Sequence, residues 1–206
     1  MGQGIFATPV QPARTGGLAS FDVGVAATLV KVDTHSSYWQ HATTKDFTHS
    51  GYVGVPRLVV SKGFSLGTIS GTYAKISGTN AKIIGGAVDI PIIRGTLASP
   101  ELALRASYST LSGIDAFKEK TYGLEAFLSK GFGPLMPYAA YGRMRTNATG
   151  TVNIGVAAPG TNLLHDISNL NRLTVGLRVS LFLPKIVVEA TRAEVTSYAA
   201  KVSIGF

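Results

Sequence analysis

From Ser197 to Phe206 the chain alternates without a break. Tyr198, Ala200, Val202, Ile204 and Phe206 fall on one face of an extended strand, and Ala199, Lys201, Ser203 and Gly205 on the other. The first face suits lipid; the second is small or polar. The same period recurs from Arg172 to Leu183, where Leu173, Val175, Leu177, Val179 and Leu181 interleave with Arg172, Thr174, Gly176, Arg178 and Ser180. Phe21, Val23, Val25, Ala27 and Leu29 repeat it near the start of the chain. Such a pattern confines a chain to strands. No uncharged apolar run reaches about 18 residues, which excludes a transmembrane helix, yet the mean hydropathy is positive. A transmembrane barrel reconciles the two, because its lipid-facing residues are spread at period two.

Alternation places strands near residues 19 to 32, 51 to 63, 65 to 76, 81 to 93, 100 to 111, 120 to 132, 136 to 148, 170 to 183, 185 to 193 and 197 to 206. Most are near the length that a tilted strand needs to cross a bilayer, about 9 to 11 residues. The expected fold is all-β, a closed antiparallel transmembrane β-barrel of about ten strands, with eight or twelve as alternative counts. Residues 1 to 18 lack alternation and contain Pro9, Pro12, Gly16 and Gly17, so they read as a periplasmic or lumen-inserted N-terminal segment ahead of a single barrel domain, 19 to 206. A soluble, lipocalin-like barrel is the competing fold; it would turn its apolar face inward.

The two longest connections, 33 to 50 and 149 to 169, fall on one rim. Outer-membrane-type barrels carry long loops outside and short turns on the periplasmic side, which puts both termini inside. Ser61-Lys62-Gly63-Phe64 recurs as Ser129-Lys130-Gly131-Phe132, each time closing a descending strand. The echo puts Phe64 and Phe132 in an inner aromatic girdle, with Lys62 and Lys130 snorkelling to headgroups. Trp39 is expected in the outer girdle. Pro56 cannot donate to a ladder, which predicts a bulge in the second strand or a different strand count.

The last strand, strictly alternating and ending on the aromatic Phe206, resembles the C-terminal strand of bacterial outer-membrane β-barrel proteins. The resemblance implies a place in the Gram-negative outer membrane, with the lipid bilayer and lipopolysaccharide as surroundings. It also implies that the barrel-insertion machinery reads the terminal strand, and that Phe206 lies at the membrane interface. It leaves a homo-oligomer open. Residues 1 to 18 show no charged region followed by an apolar one, so an exported chain would be numbered from its processed form, with Met1 added or retained.

If the apolar faces meet lipid, the opposite faces line a lumen carrying Asp22, Arg57, Asp89, Arg105, Glu125, Arg143, Arg178, Glu189 and Lys201. Counting from the connecting turns pairs Asp89 with Arg105, Glu125 with Arg143, Arg178 with Glu189, and Lys201 with Asp22 where the last strand closes on the first. Such pairs would plug a barrel of this size, or would line a narrow path for small polar solutes.

Other chemistry finds little support. The net charge of +8 comes from scattered lysines and arginines, with no cluster longer than Arg143-Met-Arg145, so nucleic acid is not expected as a partner. The chain has no cysteine. His35, His41 and His49 fall in the first long connection and His165 in the second, and neither Asp33 with His35 and Ser37 nor His49 with Ser50 is held as a catalytic group requires. The histidine spacings, with Asp33 and Asp46, match no compact metal motif. No catalytic residue, metal or cofactor is therefore expected. The expected role is a small porin-like channel or structural envelope barrel, with loop-mediated binding of an adhesin type as the alternative and an outer-membrane hydrolase after it.

Overall fold

The computed structural model describes residues 6–13, 18–31, 52–76, 80–96, 98–114, 117–152 and 162–206. Ten strands follow one another along the chain: β1 (Phe21–Lys31), β2 (Tyr52–Phe64), β3 (Gly67–Lys75), β4 (Lys82–Ile93), β5 (Glu101–Ile114), β6 (Phe117–Ser129), β7 (Leu135–Val152), β8 (Asn162–Ser180), β9 (Pro184–Arg192) and β10 (Thr196–Gly205). Each pairs antiparallel with its neighbours in sequence, and β10 closes on β1 to complete the barrel. Closure leaves no sheet edge, so the backbone groups of a lipid-facing wall are satisfied within the wall.

Pro56 makes no bulge. The β1–β2 register runs unbroken past it, with Pro56 opposite Ala27. The β2–β3 ladder ends at Leu58–Tyr73, so Pro56 sits where β2 has a partner on one side only, the local equivalent of an edge. Register shifts occur instead in β4–β5, between Pro91 and Ile93, and in β5–β6, between Leu111 and Ile114. The connection expected over 149 to 169 is shorter than that, because β7 runs to Val152 and β8 starts at Asn162, which places His165 in a strand opposite Thr149. Trp39, His35, His41 and His49 lie outside the described residues.

The outward faces are apolar from end to end of a central band. Val25, Leu58, Ile69, Val88, Leu124, Val175, Val188 and Val202 are all well exposed. Two aromatic girdles bound the band. At the end carrying the C-terminus and the turns at 65–66, 130–134 and 181–183 stand Phe21, Phe64, Phe132, Phe182 and Phe206, all exposed. Phe182 is 95% exposed at φ 61, a backbone conformation that normally selects glycine or asparagine, so the turn holds a bulky aromatic at the membrane interface against its steric preference. Towards the other end, Tyr73, Tyr108, Tyr122, Tyr141 and Tyr198 are exposed on the outer wall, and Tyr108 and Tyr122 face each other with centroids 5.1 Å apart.

Candidate functional site

The interior holds the chemistry. Because side chains alternate across each strand, the outward apolar band leaves an inward set that is mostly small, hydroxylated or charged. Among the described side chains six acids point inward, Asp22, Asp89, Glu101, Glu119, Glu125 and Glu189, and six bases face them, Arg57, Arg105, Arg172, Arg178, Lys185 and Lys201. These twelve are balanced in charge.

Asp89 and Arg105 stand directly opposite on β4 and β5. Arg105 donates from Nε to Oδ1 at 2.6 Å and from Nη2 to Oδ2 at 2.8 Å, a two-pronged pair whose side chains are 1% and 2% exposed. Its guanidinium also lies 4.4 Å from the centre of the Phe127 ring. Lys201 and Asp22 are offset along the β1–β10 seam, Lys201 opposite Ala26 and Asp22 opposite Gly205, but the long lysine bridges the gap at 2.9 Å. Asp22 accepts further bonds from Lys185 at 3.3 Å and Ser203 at 3.0 Å. Arg57 is buried opposite Ala26, and among the described residues no ion pair forms on it.

Two expected rungs do not form. Arg143 is not a lumen residue: it stands opposite Leu124 and points outward, exposed, between inward Gly142 and Met144. Register fixes this, since a displacement of one residue exchanges the two faces of a strand. Arg172 of β8 takes its place and approaches Glu125 at 3.8 Å. Glu125, Gly142 and Arg172 lie on one line across β6, β7 and β8, and a Cβ on Gly142 would collide with Glu125. Likewise Arg178 stands opposite Val187, not Glu189. Glu189 instead accepts from the Tyr138 hydroxyl at 2.5 Å. Tyr138, Gly176 and Glu189 form a second three-strand line, and the tyrosine ring occupies the space a side chain on Gly176 would need. The missing side chain at the middle strand lets a long residue reach its second neighbour.

The largest element that the charge pattern did not reveal is the segment 6–13, which runs inside the barrel. Phe6, Ala7, Thr8, Val10 and Ala13 are all buried. Ala7 donates its N–H to Ser109 Oγ at 3.0 Å, and its carbonyl accepts from Thr72 Oγ1 at 3.1 Å, so the segment is held between β5 and β3. The Phe6 ring lies 4.6 Å beneath the Arg172 guanidinium. Gln11 is the hub: its amide donates to Ser61 at 3.1 Å and Ser70 at 3.3 Å, its Oε1 accepts from Lys201 at 2.7 Å, and its carbonyl accepts from Arg105 Nη2 at 3.0 Å. One residue thereby ties β2, β3, β5 and β10 to the strap. Its signal in the sequence is faint, an apolar stretch with two prolines ahead of the first strand. Below Gln11, at the end bearing the C-terminus, a cavity of about 330 Å³ opens between Asp22, Arg178, Lys185 and Lys201.

An apolar wall bounded by aromatic girdles, an even number of antiparallel strands and a charged interior are the reverse of a soluble fold and the arrangement a bilayer requires. The chain is a transmembrane β-barrel of the outer-membrane type. The outward wall of such a barrel meets lipid.

No family model matches the chain, and no curated protein does. Among solved structures, the N-terminal β-barrel domain of Pseudomonas aeruginosa OprF is similar at 10% identity over 91% of this chain and 97% of that one, with a TM-score of 0.43. Neisserial surface protein A is similar at 14% identity over 91% and 99%, TM-score 0.39. The β domain of the Bordetella autotransporter BrkA is similar at 11% over 91% and 100%, TM-score 0.38. Among the described residues of the barrel, no group of three or more acids and histidines is placed to hold a metal ion.

Proposed function

We propose that the barrel is a self-plugged envelope protein, a structural element of the outer membrane and not an open channel at rest. One observation carries this reading. Val10 and Ala13 of the strap belong to a single apolar cluster with Ala26 on β1, Val59 on β2, Ala103 on β5, Phe127 on β6, Tyr138 on β7 and Val187 on β9. Strands on opposite sides of the lumen thus meet through the strap, as in the packed interior of a small barrel. The equal number of inward acids and bases supports the same reading, since a selective path would carry an excess of one sign. We further infer that β10, ending at the exposed Phe206, is the strand by which insertion machinery takes up the chain. Planar-bilayer recording tests the role. The full chain should give no steady current, and a variant lacking residues 1–18 should open a small, weakly selective pore. Steady conductance from the full chain would overturn the proposal.

A further inference from the structure

The positive charge of the chain is not spent in the lumen, where six acids meet six bases. Among the described residues most of the exposed lysines and arginines lie on the outer wall above the tyrosine girdle, with Lys62 and Arg94 at the other end. Two residues beyond Tyr73, Tyr122 and Tyr141, towards the end opposite Phe206, stand Lys75, Lys120 and Arg143, all exposed. Lys118 and Arg145 follow, exposed, one step further along β6 and β7. The register makes Arg145 and Lys120 neighbours, since Arg145 is opposite Tyr122 and hence diagonal to Lys120, while Arg143, opposite Leu124, and Lys118, opposite Thr149, extend the row to either side. Around the wall, Lys75 and Lys82 are directly opposite each other and both exposed, an arrangement that is unfavourable unless an anion lies over it. Among the described side chains the exposed acid is Glu194, in the turn 193–195.

We propose that this band, densest at Lys118, Lys120, Arg143 and Arg145, binds the phosphate groups of lipid A, the phosphorylated glycolipid of the outer leaflet. The proposal rests on the outer-membrane placement, and on the order of surfaces met along the wall. Along β6 Leu128 and Leu124 come first, then Tyr122, then Lys120 and Lys118. Acyl chains, sugar and phosphate follow the same order in the lipid. Arginine forks match phosphate oxygens two at a time and lysines add point charge. Asn169 and Asn171, exposed on β8 directly opposite Arg145 and Arg143, supply amides for sugar hydroxyls beside the phosphate. Free phosphate would gain only the cations; a glycolipid gains the whole sequence of surfaces.

Native mass spectrometry of the refolded full chain, offered equal amounts of bis-phosphorylated lipid A, the same lipid dephosphorylated, and phosphatidylglycerol, tests the proposal. Phosphorylated lipid A should be retained at least about tenfold over either competitor. The quadruple variant K118Q/K120Q/R143Q/R145Q should lose that preference. Equal retention of both lipid A forms by the unsubstituted protein, an unchanged preference in the variant, or equal retention of phosphatidylglycerol would each overturn it. Heat-modifiable mobility on gels reports barrel folding without lipid A. A chain that never gives the folded band would overturn the membrane placement and the lipid site with it, an outcome distinct from a folded barrel that ignores phosphate.

Discussion

Gln11 accepts a hydrogen bond from Lys201 at 2.7 Å, which ties the strap to the strand that closes the barrel 190 residues later. Plug and seam are therefore one network, since Lys201 also holds Asp22 across the β1–β10 closure. Neither side of the network is complete until the last strand is in place.

Gln11→Ala removes an acceptor from Lys201 and a donor from Ser61 and Ser70. We expect a loss of about 2 kcal/mol in urea unfolding from lipid vesicles, the scale of hydrogen bonds to a charged group. Gln11→Glu keeps the acceptor and should recover much of it. A Gln11→Ala barrel as stable as the parent would mean that the strap is not seated.

The Asp89–Arg105 pair is buried, and the two residues should behave as a unit. Arg105→Met or Asp89→Leu alone strands a charge and should cost about 3–5 kcal/mol, whereas the double substitution should cost less than either. Additive losses in the double variant would contradict a direct pair.

Gly176→Ala should cost about 1–3 kcal/mol, because the added methyl displaces the Tyr138 ring from its reach to Glu189. Gly71→Ala on the outward face of β3 meets nothing within 4 Å and should be neutral or mildly stabilising. Equal effects at the two glycines would remove the three-strand bridge.

In phosphatidylcholine vesicles, which contain no phosphorylated glycolipid, Arg143→Gln should change stability by less than about 0.5 kcal/mol. Arg172→Gln, inward against Glu125 and Phe6, should cost about 1–3 kcal/mol. The opposite ranking would mean that β7 is displaced by one residue.

Most of the wall was readable because alternation is a local property. The leucines and valines between Arg172 and Leu183 place β8 on a face without reference to any other strand, and the short turns at 65–66 and 181–183 lock the hairpins they close. Asp89 and Arg105 were readable as partners because they belong to adjacent strands and stand on the same rung. Arg172 with Glu125 and Tyr138 with Glu189 were not, because each skips a strand across a glycine and so depends on two registers at once. Trp39, expected in the outer girdle, lies outside the described residues; on the described wall tyrosines form that girdle, and what brings them level is the stagger of five strands.

By itself the sequence determined the strands, their apolar and polar faces, and the inversion that demands a bilayer, since each follows from the geometry of one extended segment. Only the tertiary structure decided what fills the lumen and where the excess charge collects. Gln11 sits in a segment with no period at all, and it acquires its partners from four strands that are far apart in the chain. Lys120 and Arg145 lie 25 residues apart in the sequence, and become neighbours because the β6–β7 register makes them diagonal on the wall.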